Sequence, residues 1–454
     1  MPRPPSAGPP PPHPLPRIPA WASRHGIFYG WFIVGVSFTV LSLAFGVRLS
    51  FSVFFEALTR GDAFGWTRAD TAGVFSITMV LALVLTGPVG WLLDRLGPGR
   101  VYLLGLGLLT SGLVLTSRVQ TLLQFYLAYG VWTGAGIAVL GLAIHAATIS
   151  RWFSSQGRRG LAIGLAFSGT GIGTLVLAPM AERIIALHGW RIAYLALAGL
   201  VALVGFPVVW FFLHDAPQAL GLWPEGGEPG PPVSTGAEPQ GTPAAPGQQV
   251  GWTWNQAART GSFWLLLAAG AFSLFTLRMV TVHQVAYLVD RGIPRLTAAA
   301  VLGMGGLVTA VSFALFGQLS DRIGREGAFY LGSLAHILAL SVLLSLQADT
   351  PPVWLYLYPL LWGMGEGSRS SLLSAMASDT FRGPALGAIV GSLGAAFGLG
   401  AATGSWLGGW LYDQTGSYGT AFLAALASTL LAAGCVLVAH RVRPRAGPMG
   451  RRPI

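Results

Sequence analysis

Charge is what this chain has least of. Only 9% of its 454 residues are Asp, Glu, Lys or Arg, against roughly 25% in soluble domains. Lysine is absent altogether: all 27 basic residues are arginine. That removes the lysine a phosphate-cradling P-loop needs. One cysteine, Cys435, lies inside an apolar run, so there is no disulfide framework and no cysteine metal site; it reads as a small packing residue. Neither His-Glu-x-x-His nor Gly-x-Ser-x-Gly occurs, so two common hydrolytic arrangements are missing. No cofactor or metal is expected, and the chain does not read as an enzyme. What replaces charge is apolar length: 53% of the residues are hydrophobic and the mean hydropathy is +0.62.

A short polar turn interrupts that length twice. Gly90-Trp91-Leu92-Leu93-Asp94-Arg95-Leu96-Gly97 and Gly317-Gln318-Leu319-Ser320-Asp321-Arg322-Ile323-Gly324 both fit G-x-L-x-D-R-φ-G, with φ an apolar residue. Asp94 and Asp321 are 227 residues apart (321 − 94). Each copy follows the second apolar run of its half, where glycine gives a tight turn its backbone freedom. A motif recurring at half-chain spacing makes the chain two similar modules in tandem.

A helix needs about 20 residues to cross the hydrocarbon layer. Six runs of that kind are expected in the first half: 29–55, 71–93, 101–116, 122–149, 160–180 and 192–213. Six more follow at 263–288, 297–319, 328–346, 353–377, 386–411 and 418–438. The fold class is therefore an all-α membrane protein, twelve transmembrane helices in two pseudo-symmetric six-helix bundles, residues 29–213 and 263–441. Residues 1–28 form a proline-rich tail with Arg3, Arg17 and Arg24, and lack the apolar core of a signal peptide. Residues 214–262 are a Pro/Gly-rich linker that cannot build a core. Residues 442–454 are a basic tail.

Arginine placement sets the orientation. Seventeen arginines fall on the side of the N-terminus. Seven fall on the other: Arg60, Arg68, Arg118, Arg183, Arg191, Arg291 and Arg295. Both tails and the linker are thus expected in the cytoplasm, with the protein in the plasma (cytoplasmic) membrane as a monomer. The net charge of +11 then reflects topology and contact with anionic lipid. No soluble basic domain exists to bind nucleic acid.

The fifth run carries Gly160, Gly164, Gly169, Gly171 and Gly173, and the eleventh Gly387, Gly391, Gly394, Gly398 and Gly400. Small residues at such spacing let helix backbones approach closely. Close packing and a contact that rocks during gating both fit. Parallel six-helix repeats about an axis along the membrane normal characterise one transporter architecture, whose substrate site lies near the midplane between the halves.

The paired Asp-Arg turns and the six-plus-six layout resemble the major facilitator superfamily over roughly residues 29–438. A narrower likeness is to its monocarboxylate and oxalate/formate branch. It rests on Arg151-Trp152-Phe153 with Arg158-Arg159-Gly160-Leu161-Ala162, on Gly189-Trp190-Arg191, on Gly221-Leu222-Trp223-Pro224-Glu225-Gly226, and on Ser262-Phe263-Trp264-Leu265-Leu266. Ala44-Phe45-Gly46-Val47-Arg48 with Val53-Phe54-Phe55 is similar to that branch's first helix, where the resemblance implies that a basic residue at the Arg48 position engages a carboxylate. One stretch departs from the branch. Where its eighth helix carries charge, this chain has Thr309-Ala310-Val311-Ser312-Phe313, and the oxalate carriers' lysine on helix 11 is missing. Oxalate is disfavoured. Lactate or pyruvate requires Arg278 to replace the helix 8 arginine.

Three arginines remain inside the runs: Arg48, Arg278 and Arg369. Arginine at the bilayer centre costs about 2.5–3.5 kcal/mol on insertion scales, so such residues line a cavity, pair with a partner or snorkel. Arg48 and Arg278 are 230 apart (278 − 48), close to the repeat, and so occupy nearly equivalent positions. Facing inward, they form a cradle for a carboxylate, which guanidinium binds bidentately. Glu366 lies three residues before Arg369, so the two either neutralise each other along the helix or work as a proton-binding carboxylate and its tuning charge. His283 titrates near neutrality; it either competes with Glu366 as proton carrier or is a satisfied polar side chain. His145 and His336 read as buried, hydrogen-bonded side chains.

The expected function is secondary active transport of a small organic anion, monocarboxylate-like and proton-coupled, by alternating access. Arg48, Arg278 and His283 are the expected substrate site, and Glu366, His283 and Arg369 the proton site. Asp94, Arg95, Asp321 and Arg322 are the expected latch. A drug or metabolite efflux carrier of the same fold would want an acidic cavity, and a membrane enzyme or receptor a catalytic constellation or a soluble domain.

Overall fold

The computed structural model describes residues 28–60, 64–153, 158–220, 222–223, 251–383 and 385–442. Residues 1–27, 224–250 and 443–454 lie outside these, and with them the tails and most of the linker read above, including Pro224, Glu225 and Gly226.

Among the described residues, twelve long helices make up the fold, with short helical turns at Pro217–Leu220 and Trp254–Ala258 beside them. α1 is Gly30–Leu49 continued by Phe51–Arg60. α2 and α3 share the run Arg68–Thr116, divided at Gly97. α4 is Leu122–Trp152, α5 Arg159–His188 and α6 Trp190–Phe212. α7 is Gly261–Asp290, α8 Arg295–Ile323 and α9 Arg325–Ser345. α10 is Pro352–Gly367 with Arg369–Thr380, α11 Leu386–Thr415 and α12 Gly419–Arg441. Among the described residues, ten stretches are long and apolar enough to cross a membrane. The other two crossings are masked, one by a merger and one by a break. α3 runs on from α2, and the break at Ser368 leaves α10 in pieces of 16 and 12 residues.

Glycine at the end of each Asp-Arg motif explains the two sharp turns. Gly97 has φ 77° and Gly324 φ 83°, the left-handed region where a side chain is strained. The equal geometry makes the repeat physical as well as textual. Several helices outrun their apolar stretch. α5 was expected to end near residue 180 and continues to His188, where Gly189 at φ 84° stops it. α1 was expected to end near residue 55 and continues to Arg60. Composition marks the hydrocarbon layer, whereas the backbone ladder persists into the interface until a breaker ends it.

Within each half the glycine stripes give the same closest contact. A Cβ at Gly169 or Gly173 of α5 would strike the carbonyls of Phe38 and Ser42 on α1. One at Gly400 or Gly404 of α11 would strike those of Ala271 and Phe275 on α7. Across the halves, Gly171 of α5 lies against the Gly306 carbonyl of α8, and Gly409 of α11 against the Arg68 carbonyl of α2.

The Gly409–Arg68 crossing lies at the end away from the linker, the far end, and the Gly171–Gly306 crossing near mid-length of its two helices. Toward the linker end the same four helices present Gly87, Gly90, Gly160, Gly164, Gly317, Gly387, Gly391 and Gly394, and nothing comes within 4 Å of where their Cβ atoms would be. The halves meet at the far end and are parted at the linker end.

Candidate functional site

Arg48 sits near the middle of the 30-residue helical stretch Gly30–Thr59, deeper than the expected end of α1 implied. Its Nη2 reaches Met79 Sδ on α2 at 2.8 Å, and its guanidinium carbon lies 5.4 Å from the Phe45 ring centroid. Both are soft, neutral neighbours. The Arg278 charge is near enough to act on it, and the neutral Tyr129 phenol lies nearby. Tyr129 comes from the π-helical turn Tyr126–Thr133 of α4, an irregularity that shifts side chains round a helix and recurs at functional sites.

Arg278 sits at mid-length in α7, and its charge and that of Glu366 act on each other. Glu366 Oε2 also accepts from Thr309 Oγ1 of α8 at 3.1 Å. The Glu366 charge also reaches Tyr358, whose hydroxyl donates to Gln284 Oε1 at 2.6 Å. Arg48, Arg278 and Glu366 are thus one group between the halves. Within it the Nε of Arg48 and the Nε and Nη1 of Arg278 are buried without a hydrogen-bond partner. Each such buried donor costs about 1–3 kcal/mol, unless a ligand takes it.

Arg369 does not join this group. Its Nη2 and Nε lie 3.0 and 3.2 Å from His336 Nδ1, and its Nη1 donates to Ser333 Oγ at 3.2 Å. The expected intrahelical pair with Glu366 is not formed: α10 turns Glu366 toward α7 and α8, and Arg369 toward α9. His283 is not brought to Arg278 either. It is buried, with Nε2 2.8 Å from the Ser405 carbonyl and Nδ1 3.2 Å from the Tyr418 hydroxyl, and Phe55 lies edge-on at 4.7 Å. The carbonyl fixes the proton on Nε2, so Tyr418 donates to Nδ1, which satisfies a neutral ring. His145 is buried and bonded to Tyr102 at 2.7 Å.

At the linker end Asp94, Arg95, Asp321 and Arg322 are exposed. Arg95 stacks on Trp91 at 4.3 Å. The arginine that holds Asp321 is Arg325, at 2.8 Å, rather than Arg322.

Sequence reasoning placed Arg68 and Arg295 in loops. They prove to be the first residues of α2 and α8, 227 apart (295 − 68), the spacing of the Asp-Arg motif. Each crosses to a carboxylate at the far end of the other half's first helix. Arg68 Nη1 donates to Asp290 Oδ2 of α7 at 2.9 Å, and Arg295 Nε lies 3.4 Å from Glu56 Oε1 of α1. Asp413 of α11 accepts from the Arg68 and Ala69 amides at 3.0 and 2.7 Å, capping α2 from the opposite half. Carboxylates are favoured at helix N-termini, so the far gate closes on complementary charge. Ser52 Oγ to the Val282 carbonyl and Ser76 Oγ to the Ala402 carbonyl, at 2.8 and 2.7 Å, add to it. Applying the repeat spacing to every charged residue would have revealed this gate.

A family model described as Major Facilitator Superfamily matches residues 27–381. Monocarboxylate transporter 3 of Rattus norvegicus is 30% identical over 310 residues, covering 68% of this chain and 58% of that protein. Monocarboxylate transporter 12 of Homo sapiens is 26% identical over 429 residues, 87% of this chain and 77% of that one. The chain thus spans less than two thirds of the rat relative's length. The fold is similar to that of the nucleoside transporter NupG, with TM-score 0.69 at 14% identity, covering 90% of this chain and 99% of that one. It is also similar to a peptide transporter POT in complex with sulfate, with TM-score 0.67 at 16% identity, covering 92% and 96%.

Proposed function

The chain belongs to the major facilitator superfamily, and from that premise we propose that it carries a small organic anion of the monocarboxylate class together with a proton, by alternating access. The observation that carries this reading is the set of unpartnered buried guanidinium nitrogens on Arg48 and Arg278, beside the carboxyl of Glu366. The resemblance to monocarboxylate transporters supports the substrate class.

The charges give the coupling a mechanism. While Glu366 is ionised it neutralises Arg278, and an incoming carboxylate finds only Arg48. A proton on Glu366 releases Arg278, and the carboxylate then binds both guanidiniums. Two cations and one anion leave the empty site at +1. The loaded site, with protonated Glu366 and a bound carboxylate, is also at +1, so the loaded and empty halves rock past each other with the same buried charge. His283, engaged on both ring nitrogens, keeps its place in the packing and leaves the proton to Glu366. A cationic substrate meets repulsion from two guanidiniums.

The linker end is taken as cytoplasmic, from the arginine bias. The structure's arrangement is then open to the cytoplasm, and the exposed Asp94-Arg95 and Asp321-Arg322 turns would latch that side when the far end opens. Uptake of labelled lactate or pyruvate into proteoliposomes under an inward proton gradient tests the reading. Arg278→Ala should lower it about 10–100-fold, since hydrogen bonds to charged groups are worth about 1.5–3 kcal/mol. Undiminished uptake would sink the cradle.

A further inference from the structure

The two arginines between the halves are held by different chemistry. Arg278 lies beside the carboxyl of Glu366, an acceptor that a proton can remove. Arg48 leans on a thioether instead. Its Nη2 reaches Met79 Sδ at 2.8 Å. Its Nε, the other nitrogen on that edge of the guanidinium, is buried without a hydrogen-bond partner among the described residues. Met79 of α2 is 4% exposed, so its side chain is packed into the protein and turned away from water. The repeat does not duplicate this contact: the position 227 residues on (306 − 79) is Gly306, which has no side chain.

A thioether sulfur is a weak acceptor. A carboxylate bonds guanidinium about twice as strongly as a neutral acceptor does, and it takes two nitrogens of one edge together. Nε and Nη2 form such an edge, so a bidentate anion needs the nitrogen that the sulfur covers. Methionine is unbranched, with three rotatable bonds, and its sulfur can swing aside without moving the backbone of α2. Arg48 and Met79 also belong to the same half. Rocking of the halves therefore leaves their contact intact, and a ligand is what breaks it. We propose, resting on the carboxylate reading above, that Met79 is a positioning residue of the anion site: its sulfur holds the Nε–Nη2 edge of Arg48 until the substrate carboxylate displaces it and takes that edge bidentately. This gives binding an order. The thioether has no proton to gain, so Arg48 opens to the anion at any pH, whereas Arg278 opens only once Glu366 is protonated. The carboxylate lands on Arg48 first, and Arg278 joins after the proton.

The experiment titrates the full chain in detergent with L-lactate, following isotope-labelled methionine methyl groups by NMR and affinity by calorimetry. The Met79 signal is identified by its loss in Met79→Leu, and in the parent it should move as lactate saturates. Met79→Leu nearly conserves volume and frees the edge. Lactate should then bind about three- to tenfold more tightly, the worth of one ordinary hydrogen bond. Met79→Gln sets an amide oxygen, a stronger acceptor, against the same nitrogen, and binding should weaken by a similar factor. A side chain that only fills space would not shift affinity in opposite directions in the two variants. If the glutamine variant does not fold, the methyl signal and the leucine variant decide. A Met79 signal unmoved at saturating lactate, or a leucine variant that binds no more tightly than the parent, overturns this proposal and leaves the transport reading in place. If neither lactate nor pyruvate binds the parent, the transport reading fails and this proposal with it.

Discussion

Arg369 donates to the Nδ1 of His336 at 3.0 Å, joining α10 to α9 through a guanidinium that no carboxylate among the described residues offsets. The imidazole must be neutral to accept, and its other face stacks on Trp362 at 4.5 Å. The Arg369 guanidinium carbon lies 4.8 Å from the Phe329 ring centroid, so the charge is spread over an aromatic face and three hydrogen bonds. Cation–π contacts of this kind contribute about 0.5–2 kcal/mol. The arrangement braces the C-terminal half and stands apart from the cavity group.

Arg369 therefore separates stability from coupling. Arg369→Ala removes the bonds to His336 and Ser333 and opens a space beside Phe329. It should destabilise the protein by about 2–4 kcal/mol, read as a lower melting temperature in detergent. The pH profile of the remaining uptake should keep the parent's shape; a displaced profile would return Arg369 to the proton site.

Glu366→Gln places a permanently neutral group beside Arg278. Binding of the anion should then need no proton. Substrate affinity should hold from acid to neutral pH, where the parent loses it as Glu366 ionises and reclaims Arg278. Exchange of labelled for unlabelled anion should survive, and accumulation driven by a pH gradient should vanish. A variant that still concentrates substrate against a gradient would move the proton site elsewhere.

How much of this was legible before the coordinates depends on range. The helical hairpins and both Asp-Arg turns follow from local pattern, as apolar length and glycine act within a few residues. Arg48 and Arg278 stood out because charge in an apolar run is costly wherever it falls. The partner of Glu366 was not legible. Periodicity places Glu366 and Arg369 on neighbouring faces, but which helix each face meets is a tertiary fact, and α7 with α8 took one and α9 the other. Arg68 and Arg295 escaped for a related reason: at a helix end a charge looks ordinary, and only the pseudo-two-fold shows that each crosses to the other half.

Asp94→Asn tests the linker-end latch. Asp94 is exposed here, so the substitution should leave the melting temperature in this arrangement almost unchanged, within about 0.5 kcal/mol. If Asp94 helps close this side when the far end opens, turnover should slow while affinity measured at equilibrium stays the same. A large affinity loss would count against the latch.

The two sets of glycines give opposite predictions for the same chemical change. Gly171 of α5 packs on the Gly306 carbonyl of α8 near mid-length of both helices, where the closed region begins, and an added Cβ overlaps it. Gly164, seven residues earlier on the same helix (171 − 164), meets nothing within 4 Å at the open end. Gly171→Val should prevent the far end from closing and drive the protein to the opposite arrangement. Gly164→Val should fit the present arrangement and hinder closure at the linker end. Both should cut uptake, so activity alone does not distinguish them. Reactivity of a single cysteine does: with Cys435→Ala and Gly391→Cys, a position toward the linker end where nothing lies within 4 Å of the added Cβ, thiol labelling by a membrane-impermeant reagent from the linker side should fall in Gly171→Val and rise in Gly164→Val. Equal labelling in the two would mean that α5 and α8 do not part and meet at their two ends in turn, and that the rocking motion is carried by other helices.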